Sequence, residues 1–247
     1  MTALVEVRGY RQAFGGRTVI DRLEFDVARG ETFGLLGSNG SGKTTTLRAL
    51  LGLIEPSEGR LTIAGSRYRP GGVRVGYLPE ERGLYKREPV IDVMVYFGRL
   101  KGLSREAAAR WSHEWLERMD LADKAKLALG KLSGGQQQKV QLGVTIMDDP
   151  ELLILDEPTK GFDPVNQRIL MDIVAKQQAK GTTLILVSHD MGQVERLADR
   201  ILLLKDGRAR AYGRVADVRA EFDGKSLNDV FLDVYGAPAV GEFGEVA

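Results

Sequence analysis

Gly37-Ser38-Asn39-Gly40-Ser41-Gly42-Lys43-Thr44 constrains this chain more than any other segment. It fits G-x-x-x-x-G-K-[ST], a loop that wraps phosphate groups. Glu31 to Leu36, just before it, reads as a short strand. Thr44 to Leu53, just after it, reads as a helix with apolar Leu47, Leu50 and Leu51. Strand, glycine-rich turn and helix is the opening of a β-α unit, so an α/β fold is expected. The residue types explain the loop's chemistry. Glycines let successive backbone N–H groups turn inward, because no Cβ blocks the approach. A helix N-terminus adds a positive field at the same point. Lys43 has the reach to meet β- and γ-phosphates, and the Thr44 hydroxyl suits Mg²⁺, with Thr45 following on the first helical turn. A glycine turn that merely precedes a lysine would not need both flanks.

Composition narrows the class. The 247 residues are 43% hydrophobic and 28% charged, which allows a normal core under a soluble surface. The formal net charge of +1 favours neither nucleic acid nor an anionic membrane as partner. Zero cysteines exclude disulfides, thiolate metal sites and cysteine nucleophiles, and two histidines exclude a multi-histidine metal site. No apolar run approaches the roughly 18 residues of a membrane span, and no leader is expected from the first residues.

Leu4–Val7 and Leu23–Val27 alternate apolar and polar residues as half-buried antiparallel strands do. Arg60–Ala64 and Arg74–Tyr77 read as further strands. From Pro89 to Asp149 helical periodicity takes over, in Val90–Leu100, Ser104–Met119 and Gln136–Met147, with Ser104 as an N-cap. Strand signals then return at Leu152–Asp156, Thr182–Val187 and Ile201–Lys205. They alternate with helices over Pro164–Lys180 and Met191–Ala198. That alternation indicates a mainly parallel sheet covered on both faces, with an antiparallel β subdomain ahead of it and an α-helical subdomain inserted into it. The expected division is a domain over 1–235. Its core, including the β subdomain, covers 1–88 and 150–213, the helical part 89–149 and a C-terminal extension 214–235. A flexible tail is expected over 236–247.

Leu152-Leu153-Ile154-Leu155-Asp156-Glu157 is a buried-strand pattern ending in two acids. Such a strand delivers its last side chains to the carboxyl edge of the sheet, beside the glycine loop. Asp156 is then suited to hold Mg²⁺ through water, and Glu157 to act as general base on an attacking water. A strand that simply ends in acids is the common alternative, but the glycine loop lies about 110 residues upstream.

Leu132-Ser133-Gly134-Gly135-Gln136 resembles the signature motif of ATP-binding cassette (ABC) ATPases, and the resemblance runs from about Val5 to Gly213. In that family the motif binds the γ-phosphate of an ATP held by the opposite subunit. Ser133 opens a helix, and Gly134 and Gly135 leave its backbone donors bare, which is a second anion site. A serine cap with a glycine turn is the simpler reading of those residues alone. The resemblance implies a P-loop ATPase with ATP and Mg²⁺ as cofactors and a homodimer or pseudo-dimer that sandwiches two ATP molecules. It also maps further residues. Phe14 resembles the aromatic that stacks on adenine, or is a buried strand-end aromatic. Thr159-Lys160-Gly161-Phe162-Asp163 resembles the D-loop, with Asp163 at the dimer interface. Ser188-His189 resembles the switch histidine that meets the γ-phosphate, which adds His189 to Glu157 and Lys43 as a catalytic candidate. Many members have Gln where this chain has Glu80. A carboxylate there would sit near Mg²⁺ or would hydrogen-bond Arg82.

The resemblance implies the ATPase subunit of a transporter, placed at the cytoplasmic face of the membrane without inserting into it. Its partner would be a separate transmembrane permease, docked near Arg82–Glu88 and Val90–Tyr96. Tyr85, Tyr96 and Phe97 are candidate contacts, although Phe97 fits a core position better. Pro79-Glu80-Glu81-Arg82-Gly83-Leu84-Tyr85 and Ser226–Leu232 are similar to segments of an exporter-like branch. The rival classes are an ABC ATPase acting on nucleic acid or ribosomes, for which no basic patch or coiled coil appears, and a small-molecule kinase, which would leave Ser133–Gln136 and His189 unexplained.

Overall fold

The computed structural model describes residues 2–81, 83–160 and 162–236. Strands β1 (Ala3–Phe14), β2 (Arg17–Ala28) and β4 (Glu58–Ile63) form an antiparallel sheet in the order β2-β1-β4. A six-stranded sheet has the order β5-β6-β7-β3-β8-β9. It contains β3 (Thr32–Leu36), β5 (Val75–Leu78), β6 (Leu152–Asp156), β7 (Thr183–Val187), β8 (Arg200–Lys205) and β9 (Arg208–Arg214). The first five run parallel and only the edge pair β8–β9 is antiparallel.

β3, β6 and β7 are buried at every position, as strands covered on both faces must be. Side chains alternate across a strand, so this sheet divides two cores. Leu152, Ile154, Ile185, Val187, Leu202 and Leu204 face one that includes the antiparallel sheet and helix α1 (Lys43–Leu50). Leu153, Leu155, Leu184, Leu186, Ile201 and Leu203 face the other, which takes in the helical residues between β5 and β6.

Those residues form α2 (Val90–Leu100), α3 (Arg105–Arg118) and α4 (Gly134–Ile146). The Ser104 hydroxyl caps α3 by accepting from the Ala107 N–H at 3.1 Å. Two glycines let the helices approach. A Cβ on Gly98 would stand 2.6 Å from Met147 Sδ and 2.7 Å from Ala108 Cβ, and one on Gly143 would penetrate the Trp115 indole. The chain continues through α5 (Pro164–Ala179), α6 (Met191–Leu197), α7 (Val215–Glu221) and α8 (Leu227–Tyr235).

Several boundaries differ from expectation for local reasons. α1 stops at Leu50 rather than Leu53, where Gly52 adopts a left-handed φ of 67°. β1 and β2 are each 12 residues long, because register shifts carry them past Gly9 and the polar residues beyond it. β9 and α7 have no counterpart among the expected elements. The tail beyond Gly236 lies outside the described residues.

Candidate functional site

The site lies where three neighbouring parallel strands end. β3 leads into the glycine loop, β6 ends on Asp156, and β7, hydrogen-bonded between them, leads to Ser188 and His189. The carboxyl edge of a parallel sheet collects side chains from distant stretches of sequence in this way.

The loop needs its glycines. Gly40 and Gly42 have φ of 79° and 108°, and a Cβ on Gly42 would collide with the Ile20 side chain. Lys43 opens α1 and folds back over the loop. Its Nζ donates to Gly37 O at 2.7 Å and to Ser38 O at 3.0 Å. Burial lowers the pKa of this lysine, while the carboxylates of Glu157, Asp156 and Glu80 oppose that shift.

Thr44 Oγ1 donates to Asp156 Oδ2 at 3.3 Å, across 112 residues of sequence. Asp156 is 1% exposed. Burial pushes its carboxyl up to about 6; the Thr44 hydrogen bond opposes this, the charges of Glu80 and Glu157 add to it, and Lys43 offsets part of it. Burial beside Asp156 likewise raises the Tyr77 hydroxyl to about 12.

Glu157 takes a left-handed φ of 50°, which is costly for a residue with a Cβ. Its N–H donates to Val187 O at 2.9 Å, tying the chain reversal to the neighbouring strand end. Glu157 Oε2 lies 2.7 Å from His189 Nδ1. The carboxylate is buried while the imidazole is largely exposed. Glu80, after β5, accepts from Lys160 Nζ. Arg82, its expected hydrogen-bond partner, lies outside the described residues.

An open cleft of about 340 Å³ is lined by Val19 and by residues of the glycine loop and the start of α1. Glu80, Asp156 and Glu157 complete it. Its chemistry suits a triphosphate with Mg²⁺. The loop supplies backbone N–H donors and a buried ammonium, and Ser41 Oγ in the loop is buried without a hydrogen-bond partner. Among the described residues no cluster of three or more His, Cys, Asp or Glu could hold a metal unaided. Mg²⁺ shared with phosphate oxygens needs only one or two protein ligands, and the hydrogen-bonded pair Thr44 and Asp156 could supply them.

Ser133, Gly134, Gly135 and Gln136 do not line this cleft. They start α4 with a reciprocal cap. Ser133 Oγ accepts from the Gln136 N–H at 3.3 Å, and Gln136 Oε1 accepts from the Ser133 N–H at 3.0 Å. Asp163 caps α5, accepting from the Asn166 N–H at 2.8 Å. Phe14, at the end of β1, is half exposed rather than buried in the core. Val19 and Tyr77 were not assigned to the site from the sequence, and Lys160 entered only as part of the D-loop-like segment, without its pairing to Glu80. Their places at the cleft depend on tertiary packing.

The ABC transporter family model matches residues 20–160. An uncharacterized ABC transporter ATP-binding protein of Methanocaldococcus jannaschii is 43% identical over 218 residues, covering 88% of this chain and 80% of that protein. The Nod factor export ATP-binding protein I of Burkholderia lata is 38% identical over 215 residues, covering 85% of this chain and 71% of that protein. A solved ATP-binding subunit of an ABC transporter superposes with a TM-score of 0.87 at 30% identity, over 94% of this chain and 99% of that one. Glycine loop, acidic strand end, family match and superposition agree: this chain belongs to the ATP-binding proteins of ABC transporters, and its activity is ATP hydrolysis.

Proposed function

We propose that this chain is the motor subunit of an exporter. Two copies, or one copy and a related subunit, close head to tail on two MgATP, and reopening after hydrolysis works a separate membrane permease. One observation carries this reading. The cleft gathers Lys43, Thr44, Asp156 and Glu157 but excludes the Ser133–Gln136 corner, whose exposed serine starts a helix. Each chain then holds two halves of different phosphate sites, and only a second chain makes either whole.

Bound MgATP supplies the phosphoanhydride bond that is hydrolysed. Gly37 to Thr45 wrap the phosphates, and Lys43, steadied by its hold on the loop carbonyls, presents its ammonium to them. Thr44 and Asp156 hold Mg²⁺, with Glu80 beside them and its charge countered by Lys160. Glu157 orients the attacking water and takes its proton; His189 steadies that carboxylate and reaches the γ-phosphate. Phe14 stacks on adenine. Ser133, Gly134, Gly135 and Gln136 grip the γ-phosphate of the facing chain, and Asp163 belongs to the seam between the two.

No helix among the described residues is long and apolar enough to cross a membrane; in our reading the stroke is passed to a separate permease. We assign the docking surface to Tyr85 and Tyr96, exposed aromatics whose rings lie 5.7 Å apart, with Phe97 packed behind them. In this reading the protein works at the cytoplasmic face of the membrane, against that permease. The assignment of export draws on the relatives named for Nod factor export. The functional unit we propose is 1–235, with the helical part 89–149 carried between core segments 1–88 and 150–213 and an extension over 214–235.

Glu157→Gln tests the central claim. Sedimentation with MgATP should show a stable dimer that does not turn over, because the amide cannot accept the proton. A protein that stays monomeric at saturating MgATP contradicts the sandwich.

A further inference from the structure

The C-terminal extension ends on the glycine loop. Ser226 caps α8 by accepting from the Asp229 N–H at 3.2 Å, and Leu227 and Val230 bury themselves in the core that Ile201 and Leu203 of β8 face. This sets Tyr235, on the last turn, against the end of β8. The Tyr235 hydroxyl donates to Leu204 O and accepts from the Ser38 N–H at 2.9 Å. Its ring stacks on Phe231 with centroids 4.3 Å apart. Lys205 Nζ donates to Val234 O at 2.8 Å and lies 5.5 Å from the Tyr235 ring centroid.

The Ser38 N–H shares one peptide unit with Gly37 O, and Gly37 O is the shorter of the two contacts that hold Lys43 Nζ. A peptide unit is planar, so fixing the direction of its N–H fixes the direction of its C=O. Gly37, with φ of 155°, offers little resistance of its own to rotation of that plane. We infer that Tyr235 is a positioning residue for Lys43. Its hydroxyl locks the Gly37–Ser38 peptide from behind and thereby holds the lysine's acceptor toward the cleft. The C-terminal helix is in this sense part of the nucleotide site, 197 residues from the serine it contacts. Coupling between sites is reciprocal, so nucleotide in the loop also favours the docked helix.

The inference rests on reading the cleft as the nucleotide site, and the test separates the two. MgADP, which is not hydrolysed, is titrated calorimetrically into the full-length chain and three variants. Tyr235→Phe removes the hydroxyl and keeps the ring. It removes the part-buried hydrogen bonds to Ser38 and Leu204, and should weaken MgADP roughly three- to tenfold while lowering Tm by roughly 2–6 °C. Val230→Ala loosens α8 without touching the hydroxyl. It should lower Tm by roughly 4–8 °C and leave MgADP affinity within about twofold. Tyr235→Phe binding as tightly as wild type overturns the assignment. So does Val230→Ala weakening binding as much as Tyr235→Phe, because the helix would then act through packing alone. Lys43→Ala retaining wild-type MgADP affinity would instead remove the nucleotide site itself.

Discussion

Asp156→Asn should make the empty protein more stable while disabling its site. The Asp156 carboxyl titrates near 6 in the folded chain against an ordinary value of 3.8. A carboxyl whose folded pKa is raised gives stability that is present below its unfolded value and lost as pH rises through its folded one. Above pH 7 the cost of keeping Asp156 ionised is therefore about 3 kcal/mol, at about 1.4 kcal/mol per unit. The same relation leaves about 1.5 kcal/mol at pH 5 and about 0.5 kcal/mol at pH 4. Asparagine keeps the size and an oxygen for the Thr44 hydroxyl, and it sheds the charge. In EDTA and without nucleotide, the urea midpoint of the variant should rise at pH 7.5 by the equivalent of about 2–3 kcal/mol at unchanged slope. The gain should roughly halve by pH 5. With excess MgATP the order should reverse, since wild type gains binding energy that the variant loses. A variant no more stable than wild type at pH 7.5, or a gain that does not shrink with acid, would refute the claim that Asp156 is strained by its own charge.

Lys43→Ala should remove tight ATP binding, measured by calorimetry, because the ammonium beside the phosphates is gone while the loop remains. Arg200→Met should cost about 2–4 kcal/mol in urea. Arg200 pairs with Asp26 at 3.1 Å and with buried Glu31 at 3.4 Å, and Glu31 would be left without that countercharge. Gly143→Ala should cost about 1–3 kcal/mol, because its Cβ enters the Trp115 ring; equal stability would mean that α3 shifts freely away from α4.

The site was legible where its chemistry is local. Gly37 to Thr44 and Leu152 to Glu157 each carry their own reason in consecutive residues: glycines where backbone must approach phosphate, and apolar residues that bury a strand up to its terminal acids. The helices between Val90 and Ile146 were legible for a similar reason, since periodicity is a local signal. β9 was missed although its cue is equally local. Asp206-Gly207 is a two-residue hairpin turn with both φ positive, pairing Lys205 with Arg208. The charges of Arg208 and Arg210 disguise it as a loop, while on an exposed edge strand they discourage pairing with another chain. The Glu80–Lys160 pair and the Tyr235 contact had no such cue. Each joins segments whose proximity follows only from the order of strands in the sheet.

That order also explains why so few residues suffice for the chemistry. β7 separates β3 from β6, so the glycine loop and the acidic pair flank a third strand end that carries Ser188 and His189. Thr44, Asp156, Glu157 and His189 are drawn into one chain of contacts by parallel strands that all finish at the same edge. The corner formed by Ser133 to Gln136 sits at the start of α4, and its cap pairs the N–H groups of Ser133 and Gln136. A fold that meant to complete the phosphate site alone would need that corner at the β3–β6 edge. Its position away from the cleft, with Ser133 exposed, is what supports the proposed second chain.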